Sequence, residues 1–278
     1  MNFKKFKDFL LWIILPVGLI CVLCLLGSIS ATLIVCFTTL IILIACHIKW
    51  KWLGYTALIA IGALGILIGV NHFTHTFDRF STFIPRIERM FGKNSEGMTA
   101  EEIKDAEEKD FQDKEAIEAI QLGKITGRKP GNSLKRDSLP NAYDDYIYSI
   151  IVEEWGLIGG IFVIFLYIWL FNRCIVIARM CNRKFSAIVV LGLALLIVTQ
   201  AFVHILVNIG LFPVTGQTLP MISRGKSSLI AMSAAIGIIL SVNRTIVIKE
   251  TKRKEQEELE AKEKNDNEIA ESSSVENK

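Results

Sequence analysis

The sequence predicts an all-α polytopic membrane protein with about six transmembrane helices and one large external loop carrying an amphipathic helix. Three observations predict it. Hydrophobic residues make up 51% of the 278 residues and mean hydropathy is +0.42, more than a soluble core of this length requires. The apolar residues gather into uncharged runs, each close to the ~20 residues that cross a bilayer as helix. Basic residues cluster at alternate ends of those runs, as cytoplasmic loops do.

The runs lie at roughly 9–28, 30–47, 52–71, 147–171, 186–207 and 225–246. Lys4, Lys5 and Lys7 precede the first, and Lys49 and Lys51 separate the second from the third. Arg173, Arg179, Arg183 and Lys184 follow the fourth. Arg244, Lys249, Lys252, Arg253 and Lys254 follow the sixth. Alternating spans put all four clusters on one side, so both termini are expected in the cytoplasm. Trp50, Trp52, Trp155 and Trp169 sit near span ends, as interfacial anchors do. The basic start followed by an apolar stretch and Ser28-Ile29-Ser30-Ala31 also suits a signal peptide. The stretch is longer than an ordinary signal core and contains Pro16, which favours a retained span.

Four regions follow: three spans over 1–71, the external loop over 72–146, three spans over 147–246 with an irregular connection at 208–223, and a charged tail over 247–278. In the loop, Thr99 and Glu102 match a capping box. Ile103, Ala106, Phe111, Ile117 and Ile120 then recur near helical spacing, predicting a helix that lies on the membrane or the bundle. Gly127, Pro130 and Gly131 break it into turns. The tail, charged and then rich in Ser and Asn, is expected to fray from helix into disorder.

Composition excludes some chemistries. A net charge of +3 spread between apolar runs gives no basic patch for nucleic acid. The six cysteines lie in or beside apolar runs, so no disulfide framework is implied for the loop, and Cys21-x-x-Cys24 reads as packing residues. Zinc spacing, a nucleotide-binding loop and a Ser/His/Asp arrangement are not apparent, and His204 reads as a packed, hydrogen-bonded residue.

Polar chemistry is concentrated at one membrane face. Arg79, Arg86 and Arg89 lie just beyond the third run, and Lys124, Arg128, Lys129, Lys135 and Arg136 follow in the same loop. Cations at an outer interface suit phosphate or pyrophosphate head groups. Acids are as abundant there, so on composition alone a solvated mixed-charge loop is the simpler reading. Tyr143-Asp144-Asp145-Tyr146 and Glu153-Glu154 bring acids to the membrane boundary, where they are functional candidates unless the helix merely crosses the interface obliquely. The stretch from Asn208 to Ser228, with Pro213, Pro220 and several Gly, cannot be regular helix, and broken backbone at membrane depth needs a covering of protein or a wet cavity.

These stretches carry a resemblance. Gly131-Asn132-Ser133, Leu139-Pro140-x-x-x-x-Asp145-Tyr146-Ile147-Tyr148 and Glu153-Glu154-x-Gly156 resemble GNS…LPxxxxDFIFAxxxEExG. Pro213-Val214-Thr215-Gly216-Gln217-x-Leu219-Pro220-x-Ile222-Ser223-x-Gly225-x-Ser227-Ser228 resembles PVTGxxLPxISxGGSS. Together they are similar to the SEDS family of cell-wall polymerases (shape, elongation, division and sporulation), and to its division branch above all. The likeness runs from the first apolar run to about Arg244. Lys226 replaces a glycine and Arg224 a frequent tyrosine of the family pattern.

The resemblance implies a bacterial inner-membrane enzyme, working at the division septum, that joins lipid II disaccharides into glycan strands. It implies as partners a class B penicillin-binding protein transpeptidase and other division proteins. No cofactor is certain from it, and a divalent cation, Mg or Mn, would suit the pyrophosphate leaving group. The family's general base is a loop aspartate upstream of an aromatic-Gln pair. Matching that pair to Phe111-Gln112 puts Asp105 at the base, with the surrounding Pro and both Gly replaced, and leaves Asp110 as the alternative. Arg79, Arg86, Lys129, Asn132, Arg136, Asp145, Glu153, Glu154, Ser223, Arg224, Ser227 and Ser228 are the expected substrate-binding set. The family has ten helices, and the match begins at the fifth. On that reading four helices are absent and the 278-residue form is not expected to polymerise lipid II alone. A transporter of lipid-linked precursor and a non-catalytic division scaffold are the competing classes.

Overall fold

The structure, a computed structural model, describes residues 14–27, 29–45, 51, 54, 100–212 and 216–276. The described residues are all-α. The expected third span over 52–71 and the capping residue Thr99 lie outside the described residues.

Six helices are described: α1 (Leu15–Gly27), α2 (Ile29–Ala45), α3 (Ala100–Gly123), α4 (Ile147–Met180), α5 (Lys184–Asn208) and α6 (Lys226–Glu276). Among them α4, α5 and residues Lys226–Glu260 of α6 are long and apolar enough to cross a membrane. The helices α1 and α2 are shorter apolar hairpin arms, with Cys21 Sγ and Cys36 Sγ 3.5 Å apart. The fourth expected span continues nine residues further as helix, to Met180, because Arg173 and Arg179 extend the helix beyond its apolar part without breaking it.

Helix α6 runs on to Glu276, through the tail where helix was expected to fray into disorder. Its Glu, Lys and Ala residues have high helix propensity, and pairs such as Arg253 with Glu257, 3.3 Å apart at i,i+4, support it.

The core lies where α4, α5 and α6 meet. Val163, Tyr167, Cys174 and Ile177 of α4 face Val190, Ala194, Ile197, Ala201 and Ile205 of α5 and Met232, Ala235 and Ile239 of α6. Between helices in lipid, close packing replaces the hydrophobic drive, and the small residues Ala194, Ala201 and Ala235 permit that approach. A second cluster seats α3 on the bundle: Ala116 packs with Leu139, Ala142, Tyr146 and Ile150. The expected loop helix exists, and the face it buries is one of small residues, Ala116, Ala119 and Gly123, against α4.

Candidate functional site

Helix α4 is broken at Gly156, whose φ of 75° and ψ of −175° belong to a region open essentially to glycine alone. A break frees backbone groups that a membrane-spanning helix cannot leave unpaired. The turn after α3 pairs them. Arg128 and Lys129 donate their N–H groups to the carbonyls of Glu153 (2.9 Å) and Glu154 (3.0 Å). Leu157 N donates to Lys124 O at 2.9 Å, and Ile158 N to Ile125 O at 3.5 Å. Gly127, at φ 76°, completes the fit, since a Cβ on it would collide with Glu154 O and one on Gly156 with Ile125 O.

Beside this break Glu153 is fully buried. Its carboxylate accepts from Ser133 Oγ and, at 2.7 Å, from Leu134 N, while Ser133 Oγ also accepts from Arg136 N at 3.1 Å. Glu153 thus anchors the Gly131–Arg136 turn. The same turn is tied to α3 by Lys135 Nζ, 3.0 Å from Glu115 and 2.8 Å from Glu118. The Lys135 ammonium, with help from Ser138, holds the Glu115 carboxyl below its usual range.

A second irregular stretch, residues 216–225, is held from α4 and α5. Gln200 Nε2 donates to Thr218 O (3.0 Å), His204 Nδ1 lies 2.6 Å from Gln217 O, and Tyr167 Oη donates to Pro220 O. Ser223 Oγ accepts from Leu219 N at 2.8 Å and donates to Asp144 O at 2.7 Å, so Ser223 is a structural bridge. Asn208, fully buried, joins everything at this end. Its Oδ1 accepts from Ser149 N (3.1 Å) and Ser149 Oγ (2.8 Å), and its Nδ2 donates to Asp145 O (3.1 Å) and His204 O (2.9 Å).

This end of the assembly carries arginines among acids. The Arg224 guanidinium sits 4.4 Å from the centre of the Tyr143 ring, and Arg224 N donates to Tyr143 O at 3.1 Å. Arg136 is within electrostatic reach of Tyr143, Asp137 and Glu154, with Asp137 3.5 Å away. Arg224 thereby joins the 216–225 stretch to the loop before α4 through Tyr143. Burial, and then neighbouring Asp144, push the Asp145 carboxyl above its ordinary value.

Of the expected residues, Arg224 lies over Tyr143, Arg136 lies on the turn that Glu153 anchors, and the Glu154 carbonyl accepts from Lys129 N. Lys129 and Asn132 are exposed on the turn beside the break, Lys129 at φ 78°. Ser227 and Ser228 occupy the first turn of α6, Ser227 exposed and Ser228 half-buried. Arg79 and Arg86 lie outside the described residues, and for Asp105 and Asp110 the description covers their backbone in α3 only. The hubs Asn208, Ser149, Gln200 and Tyr167 were not expected. Gln200, His204 and Asn208 recur every fourth residue in an otherwise apolar helix, and that one-faced polar stripe is a signal the sequence did contain.

Asn208→Ala strands two donors from Ser149 and two backbone carbonyls at once. At about 1–3 kcal/mol per unsatisfied buried group, partly relieved by rearrangement, a loss of roughly 3 kcal/mol is expected. Thermal unfolding of the purified protein measures it, and an unchanged midpoint refutes the hub.

The model of the cell cycle protein family, which joins FtsW, RodA and SpoVE, matches residues 2–247. A probable peptidoglycan glycosyltransferase FtsW of Lactococcus lactis is 30% identical over 252 residues, covering 89% of this chain and 57% of that protein. The one from Haemophilus influenzae is 34% identical over 197 residues, covering 69% and 46%. The chain therefore spans about half the length of the curated relatives it matches. A chain in a solved structure, described as structural coordination of polymerization and crosslinking by a peptidoglycan synthase complex, has a TM-score of 0.54 at 23% identity, covers 79% of this chain and 56% of its own length, and supports the fold. With its family model matched across 246 of 278 residues (2 through 247), this chain belongs to the cell cycle protein family of FtsW, RodA and SpoVE.

Proposed function

We propose that this chain acts in a peptidoglycan glycosyltransferase that polymerises lipid II during bacterial division, with the α4 N-terminal end facing the outer leaflet of the cytoplasmic membrane. The observation that carries the reading is the Arg224 guanidinium over the Tyr143 ring, with Arg224 N bonded to Tyr143 O, where two irregular loops meet at one end of the bundle. Planar guanidiniums suit the oxygens of a pyrophosphate.

In the reaction a loop carboxylate, Asp105 or Asp110, takes the proton of the acceptor sugar hydroxyl. That oxygen bonds to the donor anomeric carbon as the carbon–oxygen bond to the lipid pyrophosphate breaks with inversion. The bond pair leaves on the pyrophosphate, whose growing charge the two arginines oppose. Among the described residues no three His, Cys, Asp or Glu side chains converge on a cation. Charge compensation is assigned to the arginines, and a Mg or Mn ion at the pyrophosphate remains a proposal. The family relatives' names support the activity, and a transpeptidase of the class B penicillin-binding type is the partner proposed for cross-linking the product.

The test is polymerisation of labelled lipid II in proteoliposomes by these residues set within a ten-helix family enzyme. Each charged hydrogen bond is worth roughly 1.5–3 kcal/mol, so Arg136→Ala with Arg224→Ala is expected to lower kcat/KM by at least about a hundredfold. Unchanged kinetics sink the pyrophosphate assignment. The break in α4 also suits a transporter of the same lipid. Translocation of fluorescent lipid II without polymer would favour that second reading.

A further inference from the structure

At the opposite end of the bundle α4, α5 and α6 part around a cavity of about 450 Å³. Its wall on α6 is one face of the helix, Val242, Ile246, Lys249 and Arg253, and this face turns from apolar to basic within about three turns. Met180 and Cys181 close the α4 side, and Arg183 adds a third cation at the start of α5. Glu250 is the single acid in the lining.

The start of α5 is itself electropositive. Arg183 occupies the capping position with no side-chain hydrogen bond to the first turn, which holds no acid. Arg183 and Ser186 bring the positive end of this 25-residue helix to the cavity, with no acid in its first turn to offset it. Three cations, one acid and a helix start form the polar half, and Met180, Val242 and Ile246 form the apolar half. A soluble anion would use only the former. An amphiphile with an anionic head uses both, and basic pockets between spans on the cytoplasmic side suit phospholipid heads.

We infer that this cavity binds one anionic phospholipid, its phosphate against Arg183, Lys249 and Arg253 and its acyl chains along Val242 and Ile246. The leaflet is the inner one if the orientation proposed above holds. The binding itself does not depend on that orientation or on glycosyl transfer.

The test is native mass spectrometry of the purified protein released from nanodiscs of equal phosphatidylglycerol and phosphatidylcholine. The unmodified protein is expected to retain phosphatidylglycerol selectively. Since a Lys or Arg at an anionic surface is worth about a fivefold change in binding, Arg183→Gln, Lys249→Gln and Arg253→Gln together are expected to cut that retention by more than about tenfold. The same number of charges removed outside the cavity, by Lys252→Gln, Lys254→Gln and Lys262→Gln, should change it less than about twofold. Equal loss in both triple variants overturns the site in favour of general surface attraction. Displacement of the lipid by inorganic phosphate or by polyglutamate, in the protein as purified, would instead identify a soluble anion or an acidic partner and overturn the lipid assignment.

Discussion

Gly156→Ala is expected to remove folded protein from the membrane and, with it, all activity. The new Cβ would collide with Ile125 O and Gly127 N, both rigid backbone. An alanine also resists φ 75° and ψ −175°, at a cost of about 1–3 kcal/mol before any clash. Relieving the clash by moving the turn breaks the bonds from Arg128, Lys129, Leu157 and Ile158, and the freed groups lie where water is scarce. Even two such groups, at about 1–3 kcal/mol each, bring the total near the 5–15 kcal/mol that holds ordinary domains together. Gly237→Ala is the control, because a Cβ there meets nothing within 4 Å. Detergent-solubilised yield and melting temperature decide the matter. A Gly156→Ala protein that accumulates and melts like the Gly237→Ala one would show that the helix break tolerates side chains.

The second large effect is expected from the acids of α3. Removing a general base costs about 10²–10⁴ in rate, so Asp105→Ala with Asp110→Ala should reduce polymerisation to background at normal protein level. The single variants should differ. Residues 105 and 110 are five apart, roughly 140° around a helix, so one position cannot stand in for the other. The backbone register puts position 105 within about 20° of Ala116, on the stripe that packs against the bundle, and position 110 about 120° away. Asp105→Ala is therefore expected to carry most of the loss, with Asp110→Ala close to the unmodified rate. Full activity in the double variant would remove α3 as the source of the base. Loss confined to Asp110→Ala would show that the loop is shifted relative to the family pattern.

What the sequence determined by itself was the framework. Apolar runs of bilayer length mark α4, α5 and α6 because length and hydropathy are one-dimensional properties. Helical spacing from Ile103 to Ile120 marks α3 for the same reason. The motif residues were legible as types, Glu153, Ser223 and Arg224 among them, but not their division of labour. Glu153 and Ser223 turned out to be buried anchors, while Arg224 lies exposed over Tyr143. That difference depends on which lone pairs neighbours occupy, and the neighbours of Glu153 come from a turn 20 residues earlier and those of Ser223 from a segment 79 residues earlier. Asn208 shows the same limit, since its partner Ser149 is 59 residues away. Helix α6 carries into the tail, because cooperative helix extension continues past residues that would not start a helix. Only the tertiary structure decided that Gly156 breaks α4 and that Gly127 fills the gap, for a helix break is stable only when a distant backbone supplies the hydrogen bonds the helix gave up.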